Sequence, residues 1–343
     1  MISETRLNEL LNMDFPHEGV ISHRRDKRYF LEIFKNSNRG QKVIENLDWI
    51  FSSGRLKDTG YLSILPVDQG IEHSGGNAFA KNPIYFDPEN VVKLAIEGGC
   101  NAVASTLGIL GLVSKKYADR IPFIVKINHN ESLTPGMQKQ SMFGTVKNAF
   151  DMGAAGVGAT IYFGSENSRQ EIYEVSEAFE LAHTLGMFTV LWCYVRLPNN
   201  LDQKLNTSLD FTAQANHLGC SLQADIIKQK MPTVAGGFEK LVETETIYGK
   251  LSSENLSKEY SENIVSMVRY QVLNCYGGKI PMLSSGGPSD ANDSDNAVES
   301  AIINKRAGGS GLILGRKAFQ KSFGEGVKIL HDVQNVYLDR SIQ

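Results

Sequence analysis

Lys228 closes the apolar run Asp225-Ile226-Ile227-Lys228, and Lys230 follows two residues later. A spacing of two puts both ammonium groups on one face of a strand. An ammonium inside a fold costs desolvation energy unless its pKa falls or a partner holds it. At an unperturbed pKa near 10.4, only about one lysine in 2,500 is neutral at pH 7. A fall to roughly 8 makes that about one in ten, which suits a nucleophile that attacks a carbonyl. Burial supplies such a fall, and a second ammonium nearby deepens it. Parity alone does not separate Lys228 from Lys230. Lys126, in Phe123-Ile124-Val125-Lys126, is a rival, and for each of the three a salt-bridged structural lysine is the plain alternative.

A second group is rich in glycine. Ser284-Ser285-Gly286-Gly287 and Leu314-Gly315-Arg316-Lys317 each follow an apolar run, so backbone N–H groups and a guanidinium can meet around a phosphate. The plain alternative is a pair of tight turns, but two glycine clusters plus an arginine exceed what a turn requires. A dinucleotide fingerprint fits less well, because Gly153 to Gly158 leads into a strand instead of leaving one. A metal site is weighed on Asp68, Glu72, His73, His129 and Glu131. No pair has HExxH spacing, and acids and histidines at such positions more often hydrogen-bond loops together, so no metal is expected.

These side chains share one property, which is that each ends a strand-like run. From residue 61 onward, short apolar runs bounded by turn residues alternate with segments of helical spacing. The runs cover 61–67, 102–105, 123–127, 156–161, 189–194, 225–228, 281–284 and 312–314. Helices are expected from Asp87, with Pro88 at the first helical position, to a stop at Gly98-Gly99, and over 165–185, 293–306 and 325–338. Eight βα units in this length predict an α/β fold, a (β/α)8 TIM barrel, in which strand ends converge on one mouth. Residues 1–60 read as an N-terminal helical extension packed on the barrel, with helical spacing over 5–11 and 41–51. The barrel then covers 61–343, with an insertion at 231–260 that is much longer than an ordinary βα loop. That insertion reads equally as a surface excursion or as a lid over the mouth.

Composition removes several classes of function. Thirty-five basic against 38 acidic side chains give a net charge of -3, which leaves no field to attract nucleic acid. The dense basic run His23 to Arg28 reads as a solvated face or subunit contact. No apolar stretch reaches the length of a membrane span, and the first residues lack the apolar core of a signal peptide. Cys100, Cys193, Cys220 and Cys275 form no CxxC pair, which fits reduced thiols and a cytoplasmic protein.

The strings YLSILPVDQGIEHS, FIVKINHNE, GATIYFGSE, ADIIKQKMP, LSSGG and NKRAGGSGLILGRKAF resemble the archaeal-type class I fructose-bisphosphate aldolases, especially the longer bacterial members. The likeness runs from about residue 54 to 338. It implies a TIM barrel that works without a metal or other cofactor. The implied reaction is reversible cleavage of fructose 1,6-bisphosphate, through a Schiff base, to dihydroxyacetone phosphate and glyceraldehyde 3-phosphate. It implies that Lys228, in the ADIxK string, forms the Schiff base. Tyr194, in Trp192-Cys193-Tyr194, would transfer protons, and Asp68 is the family's strand-one aspartate. The 1-phosphate would fall to Ser285, Gly286, Gly287, Gly315 and Arg316, with Trp192 as an apolar wall. The partners implied are sugar phosphates and further copies of the chain in a homo-oligomer. A related Schiff-base enzyme, thiolase-like or transaldolase-like and acting on another phosphorylated ketone, is the alternative. A phosphosugar-binding barrel without catalysis is a third possibility.

Overall fold

The computed structural model describes every residue except 1, 22–25, 70–73, 134–138, 234–235, 243–255, 288–291 and 343. Its strands are β1 (Leu62–Val67), β2 (Ala102–Thr106), β3 (Phe123–Lys126), β4 (Asn128–Asn130), β5 (Gln140–Met142), β6 (Gly156–Phe163), β7 (Phe188–Val195), β8 (Ile226–Gln229), β9 (Met282–Ser285) and β10 (Gly311–Ile313). Eight of them close into a parallel barrel in the order β1, β10, β9, β8, β7, β6, β3, β2, with helices between, which is the (β/α)8 TIM barrel. Each expected run is one of these staves, with ends displaced by no more than two residues. The runs are legible because a stave is buried on both faces, so it reads as unbroken apolar sequence between turn residues.

The inward positions alternate along each stave. Leu62 and Ile64, Ala102 and Ala104, Phe188 and Val190, Ile226, Leu283 and Ile313 form one apolar cluster. Phe30, Phe34, Val43, Leu47, Ile50 and Phe51 belong to the same cluster. They come from the helices Lys27–Lys35 and Gln41–Phe51, which lie across the N-terminal ends of the staves. Polar contacts fix that position. Asn46 Nδ2 donates to the carbonyl of Gly186 just before β7, and Asn101 Nδ2, just before β2, donates to the carbonyl of Ile50. The helix Lys27–Lys35 was not among the expected elements. Asp26 caps it by accepting from the Tyr29 N–H, and Lys27 lies 3.1 Å from Asp48 and 2.7 Å from Asp58. Part of the basic run thus ties the base together, while 22–25 lie outside the described residues.

Two glycines make room for the rings of Trp192 and Phe188. A Cβ on Gly158 would stand 2.6 Å from Cζ3 of Trp192, and one on Gly156 would stand 2.5 Å from the Phe188 ring. The missing side chains on β6 are the space that β7 fills.

A second departure follows β3. The expected third stave ran to 127, but the structure ends it at Lys126, and Asn128 to Asn130 pair antiparallel with Gln140 to Met142 in a separate hairpin. Asn128 still continues the barrel ladder through its side chain. Its amide donates to Thr160 O at 2.8 Å and accepts from Thr160 N at 2.7 Å. Among the described residues no helix is long and apolar enough to cross a membrane.

Candidate active site

A cavity of about 550 Å³ opens where the staves end. Lys228, Tyr194, Asp68, Trp192, Ser285, Gly286, Gly287, Gly315 and Arg316 all line it. They arrive from β1, β7, β8, β9 and the turn after β10, which is the convergence a closed parallel barrel imposes.

Lys228 is paired in register with Trp192 and is only 7% exposed. Its Nζ lies 5.1 Å from the Trp192 ring centroid and 5.6 Å from that of Tyr194. An aromatic wall keeps water away from the amine and meets its charged form with a ring face. The residue after it fastens the strand. Gln229 points to the outer side, where its amide donates to Cys193 O at 2.5 Å and Asn216 Oδ1 at 2.9 Å. The start of β8 is fastened too. Asp225, fully buried, accepts from Arg39 Nε at 2.6 Å, from His183 Nε2 at 2.9 Å and from Thr189 N at 2.9 Å. Burial pushes that carboxyl up, but the His183 hydrogen bond and the Arg39 charge outweigh it, and Asp225 stays below the usual carboxylate range.

The three candidate lysines separate by position. Lys230 lines the cavity nearer its opening, with Nζ 4.8 Å from the Tyr194 centroid. Lys126 is deeper. Its Nζ donates to Asn128 O at 3.1 Å, lies 3.8 Å from Asp68 Oδ2, and is 5.0 Å from the Trp192 centroid. Lys126 therefore sits as a cationic neighbour of Asp68, and the indole of Trp192 has two ammonium groups within about 5 Å.

The glycine turns face the other side of the cavity. Gly287 has φ 72°, a left-handed conformation that a side chain would strain. A Cβ on Gly315 would stand 2.4 Å from the carbonyl oxygen of Pro66, so glycine lets the turn after β10 approach β1. Gly286 corrects one expectation. Its N–H donates to Ile313 O at 3.0 Å, so this N–H is spent on the ladder and is no donor for a phosphate. What Gly286 contributes is space, because a Cβ there would meet Leu314 Cδ1 at 2.3 Å.

The sequence reasoning left several wall residues without a role, among them Gln69, Arg196, Asn296, Ser300 and Lys317. Asn296 and Ser300 are four residues apart on the helix Asp293–Arg306, hence on one face, and that spacing was readable once the helix was expected. Of the residues weighed for a metal, Glu72 and His73 lie outside the described residues. His129 Nε2 contacts Lys126 O at 3.2 Å, and Glu131 accepts from the Leu133 N–H, so both serve the hairpin region. Of the insertion at 231–260, the helix Gly237–Val242 is described, with the Gly237 and Phe238 N–H groups held by Asp210, and 234–235 and 243–255 lie outside.

Comparison with known proteins gives a consistent set of relatives. Residues 62–321 match the DeoC/LacD family aldolase. A Chlamydia trachomatis protein, described as "Probable fructose-bisphosphate aldolase class 1", is 53% identical over 318 residues, 90% of this chain and 88% of its own length. The class 1 fructose-bisphosphate aldolase of Halobacterium salinarum is 28% identical over 271 residues, 79% of this chain and 89% of its own. Among solved structures, an archaeal fructose-1,6-bisphosphate aldolase has its catalytic lysine bound covalently to the carbinolamine intermediate of its substrate. It matches with a TM-score of 0.65 at 22% identity, over 91% of this chain and 99% of that one, a likeness of fold.

Proposed function

The chain belongs to the DeoC/LacD family of aldolases, which makes it a lyase, and on that premise we propose that it is a class I fructose-bisphosphate aldolase with Lys228 as its Schiff-base residue. The observation that carries the reading is the burial of the Lys228 amine beside Trp192 and Tyr194, in one cavity with Asp68 and Arg316. The names of the relatives support the substrate.

In this reading neutral Lys228 attacks the ketose C2 carbonyl, and loss of water from the carbinolamine gives a protonated imine. The imine is an electron sink. When the C4 hydroxyl loses its proton, the C3–C4 bond breaks, its electron pair moves to the imine, and an aldehyde and an enamine result. Tyr194 returns a proton to C3, and water hydrolyses the imine to release dihydroxyacetone phosphate. Asp68 hydrogen-bonds the substrate hydroxyls. Ser285, Gly287, Gly315 and Arg316 bind the 1-phosphate and so set the register of the carbon chain, while Trp192 keeps the imine dry. Gly286 shapes that site without donating to it.

Steady-state kinetics on fructose 1,6-bisphosphate, fructose 1-phosphate and other phosphorylated ketones tests the substrate. The bisphosphate is expected to give the highest kcat/KM. A dominant rate on another ketone would keep the Schiff base and replace the substrate.

A further inference from the structure

The outer side of β8 changes character at the residue after Lys228. Ile227, the preceding outward residue, belongs to the apolar layer between staves and helices, whereas Gln229, 1% exposed, stands among buried amides. The orientation of its amide is dictated, because the carbonyls of Cys193 and Thr212 can only accept and the Lys230 N–H can only donate. Nε2 shares its two hydrogens among Cys193 O at 2.5 Å, Thr212 O at 3.1 Å and Asn216 Oδ1 at 2.9 Å, and Oε1 accepts from Lys230 N at 2.7 Å. Asn216 Nδ2 in turn donates to the carbonyl of Gln271 at 3.2 Å, and Gln271 Nε2 donates to the carbonyl of Lys230 at 3.0 Å. The path of bonds leaves the Lys230 N–H and returns to the Lys230 carbonyl, so one network holds both backbone polar groups of that residue.

Stability alone does not call for such a network. Buried amides cost desolvation that their hydrogen bonds roughly return, and apolar side chains of the same shape can serve about as well. What the amides add is fixed geometry. The backbone register of β7 with β8 runs from Val190 and Ile226 to Trp192 and Lys228, and past that pair the Gln229 amide bridges the two strands. Asn128 does the same for β3 and β6, two residues beyond Lys126. Each of the two lysines that face the Trp192 ring is therefore followed by a side-chain amide that extends the ladder. Gln271 adds a tertiary tie. It lies on the helix Ile264–Leu273, so Lys230, where the chain leaves the stave for the insertion, is bound to the helix that follows the insertion.

We propose that Gln229 is a positioning residue for the reaction, and that its network through Asn216 and Gln271 fixes the peptide between Lys228 and Lys230 so that the Lys228 amine meets the substrate carbonyl while Lys230 stays at the rim. The proposal rests on the Schiff-base reading of Lys228 and adds the group that sets its approach. The two ammonium groups share one ring, with Nζ of Lys228 5.6 Å and Nζ of Lys230 4.8 Å from the Tyr194 centroid, so a turn of the peptide between them would displace both. An attacking amine must approach its carbon to about 3 to 3.5 Å in the right direction, and a misplacement of about 1 Å can cost roughly 100-fold in rate. Gln229 does not line the cavity and acts through the backbone. Its effect therefore falls on imine formation and not on the grip of the phosphate, which the turns after β9 and β10 supply in this reading.

The test uses Gln229→Met and Gln271→Met, side chains of similar length without the amide. Imine formation is read as the rate at which borohydride traps dihydroxyacetone phosphate on Lys228, beside kcat and KM for fructose 1,6-bisphosphate and a melting curve. In a folded variant, trapping and kcat are expected to fall about 10- to 100-fold, with KM within about threefold of the parent. Gln271→Met, which leaves the bridge from Gln229 to Cys193 in place, should give the smaller fall and covers the case in which Gln229→Met does not fold. A merely structural network would lower the thermal midpoint and leave kcat of the folded fraction unchanged. Trapping at the parental rate in the folded variants, a rise in KM as large as the fall in kcat, or loss of folding in both variants overturns the proposal. Absence of any adduct on Lys228 in the unmodified protein would instead defeat the Schiff-base reading, and the proposal with it.

Discussion

At its N-terminal end the barrel is filled by Phe30, Phe34, Leu47, Ile50 and Phe51, whose rings and branches continue the apolar layer of Leu62, Phe188 and Ile226. At its C-terminal end Asp68, Tyr194 and Lys228 line a cavity of about 550 Å³, with Lys126 behind Asp68. At the base the buried carboxylate of Asp225 accepts from Arg39, His183 and Thr189. The mouth sets ammonium groups against rings and leaves space where glycines stand. On the proposed function the difference assigns stability to one end and chemistry to the other. β8 joins them, since Asp225 precedes its first residue and Lys228 is its third.

If that division holds, substitutions at the mouth change turnover and leave folding alone, and substitutions at the base do the reverse. The largest effect is expected from Lys228→Met. Turnover should fall about a thousandfold or more, because the covalent route is gone, while the thermal midpoint holds or rises once a buried ammonium is removed. Steady-state rates and a melting curve on one preparation check both halves, and near-normal turnover would remove Lys228 from the mechanism.

Arg39→Met attacks the base. It leaves a buried carboxylate with one fewer cation and should cost about 3 to 5 kcal/mol in urea unfolding at pH 7, with kcat of the folded fraction close to that of the parent. The pH dependence has a definite sign. A carboxyl held low in the fold contributes stability above its unfolded pKa of about 4 and loses it as pH falls through the lower folded value. The gap between parent and variant should therefore close in acid, below about pH 4. A gap that stays constant with pH would mean that the Arg39 to Asp225 contact is not its source.

Gly158→Ala tests the boundary between the two regions and should give the smallest effect. The new methyl would stand 2.6 Å from Trp192 Cζ3, so the indole beside Lys228 must shift. Overpacking of this kind costs about 1 to 3 kcal/mol. It should also lower kcat about 10-fold or more, since the wall of the imine site moves with the ring. A change in stability without one in kcat would show that the ring's position is not used in the reaction.

Most of the barrel was legible in the sequence, and the reason lies in the staves themselves. Ile226-Ile227 or Leu312-Ile313 can be buried on both sides only in a parallel sheet covered by helices, and polar residues at their ends then share a rim. The hairpin was not legible, because Asn128-His129-Asn130 carries no apolar alternation and its pairing with Gln140 to Met142 is local. The helix Lys27–Lys35 was hidden by the basic run that leads into it, where Lys27 turns out to bridge two aspartates. At the site, residue types and strand ends gave Lys228 with Lys230 and Lys126 as rivals, and Arg316 beside the glycine turns, while the choice of Lys228 and the roles of Trp192, Tyr194 and Asp68 were what the family resemblance implied. Spacing did not give the use of the Gly286 N–H, which depends on the ladder to Ile313, or the contact of Lys317 with Asp293 across 24 residues. Both are tertiary facts with no local signature.

The most direct measurement is borohydride trapping with a chelator present throughout. The protein is incubated with fructose 1,6-bisphosphate or dihydroxyacetone phosphate, reduced, digested and mapped by mass. The account predicts one adduct, on the peptide that carries Lys228, with turnover indifferent to the chelator. An adduct on Lys126 or Lys230 instead, or no adduct together with activity lost to the chelator, would contradict it.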